Sequence, residues 1–445
     1  MLVYNQNGFP LKTSSKLVEF LGLSEGEKEF EDMKEQGGQV PKIKWAEPEK
    51  PDEVYVIIGN GFDIACGLPT KYSDFLDFLD YLFILRGMKK SFPDKAVEVC
   101  VDSKIYNNKQ IKSKLHEYYE GDTGYLDKWK SVLESFWYTH FSGVRRKNLK
   151  KLGLGWVDFE NEISRVIRII ERTMEEYRYQ VATLDDSIVC SKDSDLYKVI
   201  PSILENAGIE DGLDTNGERT VEYKICYRQL RNKLCEDLEI FITGFETYLR
   251  EYVEKIDIIP TRSIQNLLEK VVSSNVRRII SFNYTTTFER LLQQYPGSER
   301  ISEEVCYIHG RITDGTGSNH MVLGMDEYIR DEKIKYMIGF LPFRKYHQRI
   351  FKHTDSKYMD WLVNCEETNS ENRMLYIMGH SLGITDKDII GSFIKANSMR
   401  SVLFYHSLDA LSDQISNLTA IIGRREMISR TGGETHSMEF RKQEQ

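Results

Sequence analysis

The segment from Val54 to Leu76, VYVIIGNGFDIACGLPTKYSDFL, constrains the fold of this chain more than any other. Its unbroken apolar opening has strand length and stops at Gly59. A strand exposed on one side would alternate, so this run predicts a strand covered on both faces, as in a parallel sheet. Gly59-Asn60-Gly61 then leads into a predicted helix N-terminus. Two glycines at such a turn admit positive φ and let another group approach the backbone. The free N–H groups that follow are expected to face an anion.

Further strand signals come late in the chain: VRRIISF (276–282), EVCYIH (304–309), MVLG (321–324), RMLYIMG (373–379) and SVLFYH (401–406). Helical or loop segments separate most of them, which is the alternation of a parallel α/β sheet. From about 85 to 260 the pattern is helical. Phe159, Ile163, Val166, Ile167, Ile170, Met174 and Tyr177 recur at helical steps behind Asp158 as N-cap. Between 221 and 256 a second stripe runs through Leu230, Leu234, Leu238, Phe241, Phe245, Tyr248, Tyr252 and Ile256. Both stripes read as core. The expected fold class is α/β: a doubly wound, Rossmann-like parallel sheet with a large all-helical insertion after its first βα unit. The expected divisions are an extension and linker over 1–50 with a short helix at 15–22, a nucleotide-binding domain over 51–90 plus 262–425, the helical insertion over 91–261, and a polar tail over 426–445.

Composition narrows the function classes. Of 445 residues 40% are hydrophobic, with 21 Phe, 25 Tyr and 5 Trp, enough for a large core and too much for a disordered chain. Sixty basic against 69 acidic side chains leave a net charge of −9, which disfavours non-specific nucleic-acid binding. The basic run RRKNLKK (145–151) reads as a solvated helix end. No stretch approaches the roughly 20 apolar residues of a membrane span. MLVYNQNGFPLKTSSK lacks the apolar run of a secretory signal. Seven dispersed cysteines without a CxxC pair fit reduced thiols, Cys66 included, and no metal is expected. These features predict a cytoplasmic protein.

The third glycine of a dehydrogenase fingerprint would fall at 64, where Ile64 stands, so the loop is not an ordinary hydride-transfer one. From Gly59 through Pro69 its spacing, GxGFDxxxGLP, resembles the cofactor loop of sirtuins, GAGxSxxSGIP. SFNYT (281–285) resembles the sirtuin strand end that carries an asparagine, here Asn283, and YIHG (307–310) resembles the catalytic His-Gly pair, here His309. MGHSL (378–382) resembles the ribose-binding Gly-Thr-Ser-Leu loop. Each follows a predicted strand, and ligands collect at the carboxyl edge of a parallel sheet. A fuller resemblance, over about 54–425, is to the AbiH family of bacterial phage-defence (abortive infection) proteins. GNGFD…GLPTxYxDF, WxDxE, FNYT, IHG and GHSLxxxD stand here at 59–75, 156–160, 282–285, 308–310 and 379–386. Against sirtuins, Thr70-Lys71-Tyr72 replaces Asp-Phe-Arg, Asn283-Tyr284-Thr285 replaces Asn-Ile-Asp, and a helical insertion takes the place of the zinc module, so deacetylation is not implied.

The resemblance implies anti-phage defence, with NAD bound and hydrolysed to nicotinamide and ADP-ribose. Such cleavage passes through a cationic sugar and needs a held diphosphate, a placed water and a group that shares a proton. Carried over by position, the catalytic residues are Asn283 to fix ribose or water, His309 as a base of near-neutral pKa, and Asp63 to stabilise the cation or orient nicotinamide. The cofactor-binding residues are Gly59, Asn60, Gly61, Phe62, Pro69, Thr70, Gly379, His380, Ser381, Leu382 and Asp386. Plainer roles stand beside these. The plainer role of His309 is to cap a strand, that of Asn283 to form a turn, and that of Asp63 and Asp386 to cap helices, while His380 and Ser381 close a tight loop. Asp158 and Glu160 are equally ordinary dipole partners of a first helical turn. An alternative function keeps the fold without catalysis: a nucleotide-binding sensor whose insertion recognises a phage or host protein. The expected partners are NAD or a related nucleotide, a phage or host trigger and a second copy of the chain, with neither membrane nor nucleic acid.

Overall fold

The computed structural model describes residues 47–48, 51–91, 108–122, 124–152, 157–180, 187–207, 209–213, 219–296, 304–315, 317, 319–325, 338–367, 372–383, 386–432 and 436–444. The chain divides into two units, 1–47 and 48–445. The helix expected at 15–22 lies outside the described residues, as does Trp156. All that follows concerns the second unit.

Its strands are β1 (Glu53–Ile58), β2 (Ser187–Ser191), β3 (Ile209–Leu213), β4 (Arg219–Cys226), β5 (Val276–Ser281), β6 (Val305–Tyr307), β7 (Arg373–Met378), β8 (Met399–Tyr405) and β9 (Met438–Lys442). Six of them form one sheet in the order β6-β5-β1-β7-β8-β9, every pair parallel. Numbered among themselves in chain order, these strands run 3-2-1-4-5-6, the doubly wound arrangement of dinucleotide-binding domains. Its topological switch point falls between β1 and β7. Ile58 pairs with both Ser281 and Met378, and Ser281 pairs with Tyr307. Gly59, Phe282, Ile308 and Gly379 therefore leave the sheet at one level. Burial explains why these strands form where they do: Val54 through Ile58 and all of β7 are buried. Each such Val, Ile or Leu contributes roughly 1.5–3 kcal/mol by leaving water.

Among the helices, α1 (Asn60–Ala65), α2 (Tyr72–Ser91), α3 (Phe136–Leu152), α4 (Phe159–Gln180), α5 (Tyr227–Glu251), α6 (Lys345–Phe351) and α7 (Lys387–Lys395) frame the site. Helix α4 begins as expected, with the Asp158 carboxylate accepting the Asn161 N–H at 3.1 Å. Phe159, Ile163, Val166, Ile167, Ile170 and Met174 are buried along one stripe. Phe159 stacks between Tyr72 and Phe141, each at 4.3 Å, so α2, α3 and α4 share one aromatic core. In the basic run, Arg145 binds Asp77 and Asp80 of α2, while Arg146, Lys147 and Lys150 are exposed.

Three expectations are corrected. The insertion is not all-helical: β2, β4 and β3 form an antiparallel sheet within it, and the second stripe becomes helix only at Tyr227. Tyr223 and Ile225 are buried while Glu222 and Lys224 are half-buried, the alternation of a strand with one covered face. Residues 426–445 are not merely a polar tail, because β9 adds a sixth strand beside β8 with Met438 buried. MVLG (321–324) is not a strand, although its polar backbone groups are satisfied as if it were. The Gln348 side-chain amide donates to Leu323 O at 2.9 Å and its oxygen accepts the Leu323 N–H at 3.0 Å, so a side chain stands in for a neighbouring strand. Among the described residues, no helix is long and apolar enough to cross a membrane.

Candidate functional site

The glycines following β1 and β7 bring two loops into backbone contact. Gly61 N–H donates to Gly379 O at 2.8 Å, and Phe62 N–H to Gly59 O at 2.8 Å. A Cβ on Gly59 would lie 2.9 Å from Gly379 O, one on Gly61 2.8 Å from the Gly379 Cα, and one on Gly379 only 2.0 Å from the Phe62 nitrogen. Gly379 also has φ +72°, the left-handed region that favours glycine. The Gly61 and Phe62 amides are thus bonded within the chain itself, and the glycines admit a neighbouring loop. The rest of this segment is held from within. Thr70 Oγ1 donates to Asn60 Oδ1 at 2.5 Å, and Pro69 O accepts the Tyr248 hydroxyl at 2.9 Å. Phe62 is buried against Phe288, Leu382 is buried in the core, and Ser381 is exposed. Burial raises the Cys66 thiol to about 12, so it stays protonated.

Asp63 projects from α1 into the interior at 1% exposure. The helix N-cap is Gly59, so Asp63 is not a cap. Thr285 Oγ1 donates to Asp63 Oδ2 at 2.5 Å, and Thr287 donates in turn to Thr285 at 3.1 Å. Oδ1 has no partner. Burial raises the carboxyl to about 7, opposed by the two threonines. The Asn283 amide lies beside it, influencing its charge without reaching hydrogen-bond geometry. Asn283 is 4% exposed and both side-chain polar atoms lack partners. The turn here is closed by Ser281 Oγ, which accepts the Asn283 N–H at 3.2 Å, so the carboxamide is not the turn former.

On the other side of Phe282, two imidazoles share one carboxylate. The Phe282 ring packs edge-on to His309 at 5.5 Å and to His380 at 4.4 Å. Asp386 places Oδ1 3.4 Å from His309 Nε2 and Oδ2 3.5 Å from His380 Nε2. Asp386 sits at the N-cap position of α7 but makes no side-chain cap bond, because its carboxylate faces the histidines instead. His380 Nδ1 accepts the Leu382 N–H at 2.9 Å, which closes the loop and leaves the ring proton on Nε2. His309 is 6% exposed and its Nδ1 is unpartnered. Burial, aided by the positive charge of Lys345, lowers His309 to about 4 against the pull of Asp386. The near-neutral base expected from sequence is therefore a neutral imidazole whose Nδ1 carries a lone pair. Burial disfavours charge on Asp386, yet Lys345 and the two histidines hold it well below the usual carboxylate range.

Beneath this layer lies a polar tier whose cation the sequence did not reveal. Lys345, 4% exposed on α6, pairs with Glu160 at 2.8 Å. The Tyr284 hydroxyl donates to Val322 O at 2.7 Å. Glu160 belongs to the Trp-x-Asp-x-Glu motif, and this was its only signal. Lys345 sits in an unremarkable basic stretch, PFRKYHQR, that gives no hint of burial.

Four strand ends thus deliver Asp63, Asn283, His309, and Gly379 with His380, to one edge of the sheet, in a chain whose residues 54–405 match the family described as bacteriophage abortive infection AbiH. The chain belongs to the AbiH family. No relative among curated proteins matches it. Membership links the chain to abortive infection, a defence against phage, and the matched span contains every site residue named above.

Proposed function

We propose that this AbiH protein binds NAD at the carboxyl edge of the sheet and hydrolyses it to nicotinamide and ADP-ribose as its act of phage defence. The observation that carries the reading is the set of buried polar atoms without partners: Asp63 Oδ1, both polar atoms of Asn283 and His309 Nδ1. Each such atom costs about 1–3 kcal/mol. They stand on three different strand ends, and a ligand bearing hydroxyls and a developing positive charge would satisfy them together. In this reading His309 Nδ1 takes the proton of the attacking water or of a ribose hydroxyl, while Asp386 holds the Nε2–H. Little basicity is required, since water adding to a cationic carbon is itself acidic. Asn283 orients the ribose or the water. Ionised Asp63 faces the oxocarbenium carbon, where low polarity strengthens the attraction.

Two features support the likeness to sirtuins. The strand order is that of dinucleotide-binding domains, and the carboxylate missing from Asn283-Tyr284-Thr285 is supplied from α1 by Asp63, gripped by Thr285. The test is nicotinamide release from NAD by the purified full chain, with Asn283→Ala and His309→Ala each lowering kcat by about 100-fold or more. A second reading, a nucleotide sensor without turnover, is favoured by the loss of the sirtuin arginine, whose place is taken by Tyr72, stacked on Phe159. Saturable NAD binding with no nicotinamide release, in the presence of phage lysate as well as without it, would select the sensor.

A further inference from the structure

Helix α5 of the insertion reaches the loops at the carboxyl edge of the main sheet, and its last turns are buried at Gly244, Phe245, Glu246, Tyr248 and Leu249. A carboxylate in such a place costs free energy unless it is hydrogen-bonded. Glu246 Oε1 accepts both the Thr313 N–H and the Thr313 hydroxyl, each at 2.8 Å. In the short turn Val253–Lys255 that follows α5, the Glu254 carboxylate accepts the Thr286 N–H at 2.8 Å, the Thr286 hydroxyl at 3.1 Å and the Arg290 guanidinium at 3.0 Å. Thr313 lies in the loop that carries His309, and Thr286 in the loop that carries Asn283. The two loops are also bonded to each other. Ile312 N–H donates to Tyr284 O at 2.9 Å, the Tyr284 hydroxyl to Val322 O at 2.7 Å, and Val322 N–H to His309 O at 2.9 Å. Loops are ordinarily the more mobile parts of a domain, yet these two are anchored beside the site and again at their far ends.

We propose that Glu246 and Glu254 are positioning residues: from α5 and the turn after it, they lock the His309 and Asn283 loops into one unit and so fix the separation at which a ligand meets the two side chains. Each carboxylate acts through a threonine at the far end of a loop and lends the site no reacting group. Where two groups must be held on a substrate at once, a misplacement of about 1 Å can cost about 100-fold in rate. The insertion thereby sets the geometry of the site from outside it. The consequence for catalysis rests on the NAD-hydrolysis reading, whereas the locking of the loops does not and is measurable without turnover.

The experiment compares the full chain as wild type with Glu246→Ala, Glu246→Gln, Glu254→Ala, Thr313→Val and Ile188→Ala. The Gln side chain keeps an oxygen that can accept both Thr313 bonds, and Thr313→Val removes only the hydroxyl bond, so the test survives if Glu246→Ala does not fold. Ile188 is buried in the small sheet of the insertion, and its truncation controls for lost stability alone. Without ligand, 15N NMR follows the Asn283 carboxamide and the His309 imidazole. Glu246→Ala should shift or broaden the Asn283 signal, and Glu254→Ala the His309 signal, although each carboxylate grips the other loop. Thr313→Val should move the Asn283 signal less far in the same direction, while Glu246→Gln and Ile188→Ala should leave both signals in place. With NAD, Glu246→Ala should lower kcat for nicotinamide release by about 30-fold or more and change KM by less than about threefold, and Glu246→Gln should restore kcat. Shifts confined to each carboxylate's own loop, or equal shifts in Ile188→Ala, overturn the proposal even if wild type hydrolyses NAD. So does an unaltered kcat in Glu246→Ala. Shifts that cross between the loops in a protein that releases no nicotinamide uphold the locking and sink the hydrolase reading alone.

Discussion

Replacing Asp63 by Asn should make the protein more stable, increasingly so as the pH rises. The Asp63 carboxyl is fully buried with Oδ1 unpartnered, and its proton affinity is raised from 3.8 to about 7. A folded-state value above the unfolded one means that the group's favourable contribution is complete below pH 3.8 and is lost as pH rises through 7. The shift of about three units amounts to about 4 kcal/mol once the group is ionised in both states. Between about pH 5.5 and 8.5, wild type should lose about 2 kcal/mol that the Asn variant retains. The Asn oxygen still accepts the Thr285 hydroxyl, so the local hydrogen bond survives. Any penalty for the new amide group is independent of pH and cancels in the comparison. The assay is urea unfolding of both proteins at several pH values, followed by circular dichroism. A stability difference that is flat across this range would refute the raised carboxyl, and with it the view that Asp63 is kept at a cost to folding.

Further expectations follow from neighbouring groups. If ionised Asp63 is the working form, NAD hydrolysis should rise with pH through about 7, and a rate profile that falls over that interval would contradict the assignment. His309 binds its proton near 4 when folded, below its ordinary 6.5, so stability is present above pH 6.5 and drains away as pH falls to about 4. His309→Gln should remove about 3 kcal/mol of that acid sensitivity, read by acid denaturation. Gly379→Ala forces a Cβ to within 2.0 Å of the Phe62 nitrogen at a φ of +72° and should destabilise by more than about 2 kcal/mol; an unchanged Tm would show that the two loops are not locked together.

The parallel sheet was legible because its central strands are buried on both faces and read as continuous apolar runs. Strand β9, MEFRK, was not legible, since an edge strand with one wet face carries charge and resembles a tail. The small sheet of the insertion escaped for a similar reason: its residues alternate beside long leucine and aromatic stripes that dominate the pattern. In the site, Asp63, Asn283 and His309 could be found because each lies a few residues past a strand at a motif position. The glycines were visible, but their use was not, because what packs against Gly59 and Gly61 is a loop distant in the chain. Lys345, and the pairing of Glu160 with it, were hidden for the same physical reason. An ion pair between distant helices leaves no mark on local periodicity, and a buried lysine looks like any other in sequence.

Convergence of Asp63, Asn283 and His309 on one ligand is tested most directly by titrating NAD into 15N-labelled protein while following the Asn283 carboxamide and the His309 imidazole. Both unpartnered groups should shift with a single shared dissociation constant, and Asp63→Asn should weaken that binding for both probes alike. If saturating NAD leaves either resonance where it was, the three residues do not form one binding site.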